Sequence, residues 1–184
     1  MVKLNLPFWT NASSKRKRVY FIIFIFVLAS IVTFVASYIP ISQSNANSIS
    51  SSLNSTVNVH KSNGTLAEYI FLNNFEICLV MFIPIIGPVL GFIILGDTGY
   101  ALGAISKVQG YPPWVAILSE LLTPVFWLEF LAYSTAIAES IWLTRRLFQG
   151  RWMEVKNTAI LIGICAAILI VSALIEAWLI SLGI

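Results

Sequence analysis

Long apolar runs separated by two polar interruptions set the pattern of this chain. The first run, VYFIIFIFVLASIVTFVASYI from Val19 to Ile39, carries no charge and as a helix would extend roughly 31 Å, the thickness of a bilayer's hydrocarbon core. Residues 41 to 66 then turn abruptly to Ser and Asn, a composition that buries too little apolar surface to fold alone, and they read as an exposed loop. The next run, 69 to 106, is too long for one ordinary helix and holds PIIGP, Pro84 to Pro88, at its centre. Two prolines and a glycine break a helix there. The run divides into segments of about 69 to 86 and 88 to 106, each roughly 26 to 29 Å long, so a re-entrant hairpin stands as the alternative to two full crossings. KVQGYPP, 107 to 113, turns the chain. Segment 114 to 144 exceeds one span and contains Pro124, which predicts a kinked or broken helix. Residues 158 to 182 form the last apolar segment. The fold class predicted is all-α: a polytopic bundle of about five crossings, with short or broken helices around Pro84 to Pro88 and at Pro124.

Composition agrees with the pattern. Hydrophobic residues make up 58% of 184 and charged residues 10%, with a mean hydropathy of +0.87, far from the globular average. A separate soluble domain is not expected, and the lipid bilayer is the first partner predicted. The basic run Lys15, Arg16, Lys17, Arg18 precedes the first segment, and Arg145, Arg146, Arg151 and Lys156 lie between the last two. By the positive-inside rule both clusters are cytoplasmic, with only Lys61 and Lys107 outside among eleven basic residues. The chain then reads as a multi-pass protein of the cell membrane. Residues 1 to 18 form a cytoplasmic segment, 19 to 40 a retained signal anchor, 41 to 66 an extracytoplasmic loop and 67 to 184 the membrane domain, leaving the C-terminus outside. The first apolar core is longer than a cleaved signal's and lacks an A-x-A site. Beside a membrane span, KRKR is a poor nucleic-acid site, and no nucleic-acid partner is predicted. Asn54 and Asn63 head N-x-[ST] sequons in the outer loop and are glycosylation candidates. His60, the one histidine, reads as solvated.

Small residues predict how the helices associate. Gly87, Gly91, Gly99 and Gly103 fall on one four-residue stripe interrupted by Leu95; Ala132, Ala136 and Ser140 repeat the spacing, as do Ala159, Gly163 and Ala167. Such stripes let backbones approach in lipid, so a tight bundle, a homo-oligomer or a complex with other membrane subunits is expected. Cys78 and Cys165 read as buried, unpaired small hydrophobes.

Several motifs in order give a family resemblance over residues 70 to 182. IFLNN ends at Asn73 and Asn74, TGYALG runs from Thr98 to Gly103, PVFWLEFLA from Pro124 to Ala132, and IEAW from Ile175 to Trp178. In this series the chain resembles the stage II sporulation protein M family of membrane proteins. Val125 and Phe126 stand where the family pattern has His and Gly, and Thr98 where it has Asn. The resemblance implies a multi-helix membrane protein that works within a complex, and it singles out Asn73, Asn74, Glu129 and Glu176.

Six of eight acidic residues, Glu76, Asp97, Glu120, Glu129, Glu139 and Glu176, lie in or near the apolar segments. No basic residue reads as deep enough to pair with them. Each ionised carboxylate costs roughly 2.5 to 3.5 kcal/mol at a span's centre, so these groups should face protein, water or a partner. A scaffold whose acids hydrogen-bond between helices is the first expectation. A proton- or cation-coupled transporter or channel component is the second, using intramembrane carboxylates with Asp97 and Glu129 as a midplane pair. Enzymology is the weakest: DTG at Asp97 to Gly99 echoes aspartic proteases in an apolar helical setting, while HExxH and CxxC are absent. No catalytic residue, metal or cofactor is predicted.

Overall fold

The computed structural model describes residues 14 to 150 and 153 to 183. They form seven helices: α1 Ser14–Ala36, α2 Gln43–Ser62, α3 Leu66–Met81, α4 Gly87–Gln109, α5 Pro113–Leu122, α6 Pro124–Phe148 and α7 Glu154–Leu182. Among the described residues there is no strand. Three stretches, Arg16–Ala36, Gly87–Gln109 and Val155–Leu182, are long and apolar enough to cross a membrane, and α5 with α6 would make a fourth, bent by 89° at its break. By contrast α3 has 16 residues, about 24 Å against a core of about 30 Å.

Outward faces of α1 and α7 carry Ile23, Phe24, Val27, Ile31 and Val35, and Ile160, Ile164, Leu174 and Trp178, all exposed. So continuous an apolar surface is stable against lipid, not water. The protein is therefore a membrane-embedded helical bundle. Its centre is α6, where Ala132, Ala136, Ile137 and Ser140 are fully buried; α6 packs along α7 and α1, while α1 also packs along α4 and α3 along α7. Short side chains set the α1–α4 distance. A Cβ on Gly99 would strike the carbonyl oxygen of Thr33, and one on Gly103 that of Ser37, while Thr33 Oγ1 donates to the Leu95 carbonyl at 3.1 Å. Gly91 lies against Ile137 of α6, whose Cδ1 would be 2.8 Å from an added Cβ, and Gly87 against the backbone of Met81. The third small-residue stripe packs on nothing within the chain: Ala159, Gly163 and Ala167 are exposed, and Gly163 has no neighbour within 4 Å.

Two breaks shape the bundle. At PIIGP the chain turns between α3 and α4, with Ile85 at φ 72°, a left-handed conformation rare for a β-branched residue. α6 holds the turn: the Ile85 N–H donates to Thr144 Oγ1 at 2.9 Å and Ser140 Oγ donates to the Ile83 carbonyl at 2.6 Å. At the second break Thr123 is extended, φ −88° and ψ 146°, as a residue before proline prefers. α5 therefore turns aside from the axis of α6.

The segment expected as a loop is instead a helix. Ser and Asn are poor helix formers, but Ile41, Ala46 and Ile49 pack with Ala104 and Tyr100 of α4, and Val57 packs with Leu66 and Ile70 of α3. Burial of that face outweighs propensity. Ser42 caps the N-terminus, its side chain accepting from the Asn45 N–H, and Lys61 Nζ donates to the Ile180 carbonyl at the far end of α7. His60 is also not simply solvated: its ring stacks on Tyr69 at 4.1 Å and its Nδ1 lies 3.0 Å from Thr65 Oγ1, tying α2 to α3.

These contacts give the bundle two ends. One gathers the start of α1, the PIIG turn, the end of α6 and the start of α7. The other gathers α2, the start of α3, the end of α4, where Lys107 donates to the Ile41 carbonyl, and the end of α7.

Candidate functional site

Glu129 lies in the second turn of α6, and Pro124 at the start of that helix fixes where the turn begins. Its Oε1 accepts from Asn74 Nδ2 of α3 at 2.5 Å and from Ser172 Oγ of α7 at a longer 3.5 Å. Asn73 Nδ2 donates to Asn74 Oδ1 at 3.2 Å, which leaves the Asn74 amide group turned towards Glu129. Helical spacing adds two more groups. Glu176 follows Ser172 by four residues on α7, and Tyr133 follows Glu129 by four on α6, so each shares a face with its neighbour. The 89° bend brings Glu120 of α5 to the same place. Glu120, Glu129 and Glu176 lie within electrostatic range of one another, and Tyr133 within range of Glu129 and Glu176. Among the described residues no Lys or Arg forms an ion pair with these three carboxyls.

The arrangement can join three helices through one carboxyl, or hold several carboxyls where a proton or cation could be exchanged. Among the described residues no group of three or more His, Cys, Asp or Glu side chains could hold a metal ion. Beneath the cluster, Cys78 of α3 and Cys165 of α7 are buried and free, and both thiols point at the Ala132 carbonyl, at 4.0 and 3.7 Å.

Other acids go elsewhere. Glu139 is 4% exposed and lies 3.7 Å from Arg18 Nη1, while Thr158 Oγ1 donates to its Oε1 at 2.9 Å. A basic residue does reach a buried acid, contrary to the reading from sequence, because the start of α1 packs beside the end of α6 and arginine has a long stem. Asp97 is exposed on α4 and does not join Glu129. It stands two residues from buried Leu95, about 200° around the helix, so the glycine face that packs inward turns Asp97 out. Glu76 is exposed, beside His60 and Tyr69 in a surface groove. Asn54, on α2, and Asn63, its C-cap, are exposed.

Sequence reasoning named Asn73, Asn74, Glu120, Glu129 and Glu176 from separate segments without placing them together. It did not find Ser172 or Tyr133, whose i, i+4 spacing from Glu176 and Glu129 was the available signal. Fold and site define an α-helical membrane protein with a polar cluster set between its helices. Compared with protein-family models, curated proteins and solved structures, the chain matches none.

Proposed function

We propose that this chain is a multi-pass scaffold, or a subunit of a membrane protein complex. The observation that carries the proposal is Asp97. It is exposed near the middle of α4, a helix of span length, on a side that also exposes Val89 and Ile93. A carboxylate facing lipid there would cost roughly 2.5 to 3.5 kcal/mol, and cover from another subunit or a second copy removes that cost. In this reading the Asn74–Glu129–Ser172 contacts are internal fastening that keeps α3, α6 and α7 in register. No catalytic step is assigned.

The proposed topology has five passes, α1, α3, α4, α5 with α6, and α7, with the N-terminus cytoplasmic and the C-terminus outside. Supporting it, α3 starts beside the end of α7 and finishes beside the end of α6, so even this short helix joins the two ends of the bundle. The basic side chains of Arg16 to Arg18, Arg145, Arg146 and Lys156 collect at the end assigned to the cytoplasm. Exposure of Asn54 and Asn63 suits glycosylation on the opposite side. The proposal includes kinship with the stage II sporulation protein M family, supported by the meeting of Asn74, Glu129 and Glu176 from three of its motifs in one cluster.

Purification in mild detergent tests the central claim. A stable co-eluting membrane protein or a defined homo-oligomer is expected, and a monomer free of partners at every detergent-to-protein ratio would refute it. The second reading, proton- or cation-coupled transport, is favoured by the three carboxyls within range of one another. Solute or cation uptake into proteoliposomes driven by a pH gradient would establish it over the first.

A further inference from the structure

A cavity of about 610 Å³ opens between α1, α6 and α7 at the basic end of the bundle, within the roughly 300 to 1,000 Å³ common for small-molecule sites. Its walls are apolar, built by Val19 and Ile22 of α1, Ala138 of α6 and Ile160 and Leu161 of α7. Its polar end is built differently. Arg18 and Trp142 line it with Glu139, and the guanidinium groups of Arg18 and Arg146 each lie 5.3 Å from the centre of the Trp142 ring. Glu139 lies 3.7 Å from Arg18 Nη1 and offsets one of these charges, and Arg146, beside Trp142 at the rim, leaves the mouth net positive and attractive to an anion. Arg16, Lys17, Arg145 and Lys156 stand on the same end of the same three helices.

We propose that this groove is a binding site for an anionic phospholipid, with its phosphate head group at Arg18 and Arg146 and an acyl chain along the apolar walls. The occupant follows from the chemistry of the two ends. Val19 and Ile160 are 54% and 56% exposed, so the groove is open sideways, towards the lipid that surrounds span helices. A soluble anion would match the mouth but leave the walls uncovered, and a neutral lipid would match the walls but not the mouth. Basic pockets between membrane helices on the cytoplasmic side recognise anionic head groups for this reason.

Native mass spectrometry of the full chain, released from detergent containing equal phosphatidylglycerol and phosphatidylcholine, reads the site directly. The wild type should retain phosphatidylglycerol selectively. Arg146→Gln should lower that retention about fivefold, the equivalent of ~1 kcal/mol for one basic residue beside an anionic head group. Arg145→Gln removes the same charge from the preceding residue of α6, which is exposed and turned about 100° around the helix from Arg146, and should change retention less than twofold. Ile160→Trp, which fills the groove from its exposed wall, should lower retention of both lipids. Helicity and elution volume of each variant, unchanged from wild type, show that folding is intact. Equal retention of the two lipids, equal effects of Arg145→Gln and Arg146→Gln, or displacement of the lipid by millimolar inorganic phosphate would each overturn the proposal.

Discussion

Asn74 and Glu129, 55 residues apart in the chain, meet at 2.5 Å and join α3 to α6. The contact separates the two readings of the site. If Glu129 fastens helices, Glu129→Gln retains a carbonyl oxygen for Asn74 and Ser172 and should keep stability within about 1 kcal/mol, whereas Glu129→Leu strands the Asn74 amide and should cost about 1 to 2 kcal/mol. Thermal unfolding in detergent, followed together with assembly state, measures both. If Glu129 instead carries protons or cations, Gln cannot ionise, and a folded, assembled Glu129→Gln protein would be inactive. That outcome would reverse the order of the two functions.

Glycines on one helix should respond with opposite signs to those on another. Gly99→Ala places a methyl group against the Thr33 carbonyl, a backbone atom that cannot step aside, and should destabilise by about 1 to 3 kcal/mol. Gly163→Ala adds the same methyl group where nothing lies within 4 Å, and should be neutral or stabilise by up to about 1 kcal/mol through helix propensity. Equal melting temperatures for the two variants would contradict the α1–α4 contact.

Much of the fold was legible because uncharged runs and proline breaks act locally. Val19 to Ile39 becomes most of α1, and PIIGP and Pro124 fall at the two breaks. What stayed hidden depends on rotation and neighbours. α2 has apolar Ala46, Ile49 and Val57 at helical spacing, but its Ser/Asn composition suggests a loop until α4 and α3 are present to cover that face. Likewise, Pro124 marks a break without giving its 89° angle, and only that angle brings Glu120 near Glu129. The inward glycine stripe already implied an outward Asp97, since their angular separation follows from helix geometry alone.

Strain at the first break makes a local prediction. Ile85 is 63% exposed with φ 72°, so its side chain does little packing while its backbone carries a left-handed penalty of roughly 1 to 2 kcal/mol. Ile85→Gly removes that penalty and keeps the N–H that donates to Thr144. Its melting temperature should equal or exceed that of the wild type. A loss above about 1 kcal/mol would mean that the Ile85 side chain has a contact outside this chain.

Sidedness can be read with single cysteines, because the native Cys78 and Cys165 are buried and should react slowly. Ser52 of α2 and Gln109 at the end of α4 are exposed at one end of the bundle, and Gln149 at the other. In intact cells an impermeant maleimide should label Ser52→Cys and Gln109→Cys but not Gln149→Cys, which should react once cells are opened. Labelling of Gln149→Cys alone would invert the proposed orientation, and labelling of Ser52→Cys without Gln109→Cys would remove the pass assigned to α4.

Asp97 gives the most direct test of assembly. Its outward position, with Val89 and Ile93 exposed beside it on α4, predicts that a partner surface covers this carboxylate. Asp97→Leu makes the face more compatible with lipid and removes whatever polar contact holds the partner. The isolated chain should therefore be as stable or more stable, while the complex loses affinity. A loss of about 1 to 2 kcal/mol, the range for one interhelical polar contact in a membrane, would weaken association roughly five- to thirtyfold. Photo-crosslinking from position 93, on the same face but without the charge, identifies the neighbour in either case. An Asp97→Leu protein that assembles with unchanged affinity, and no crosslink from position 93, would show that α4 faces lipid and that the complex, if one forms, is built elsewhere.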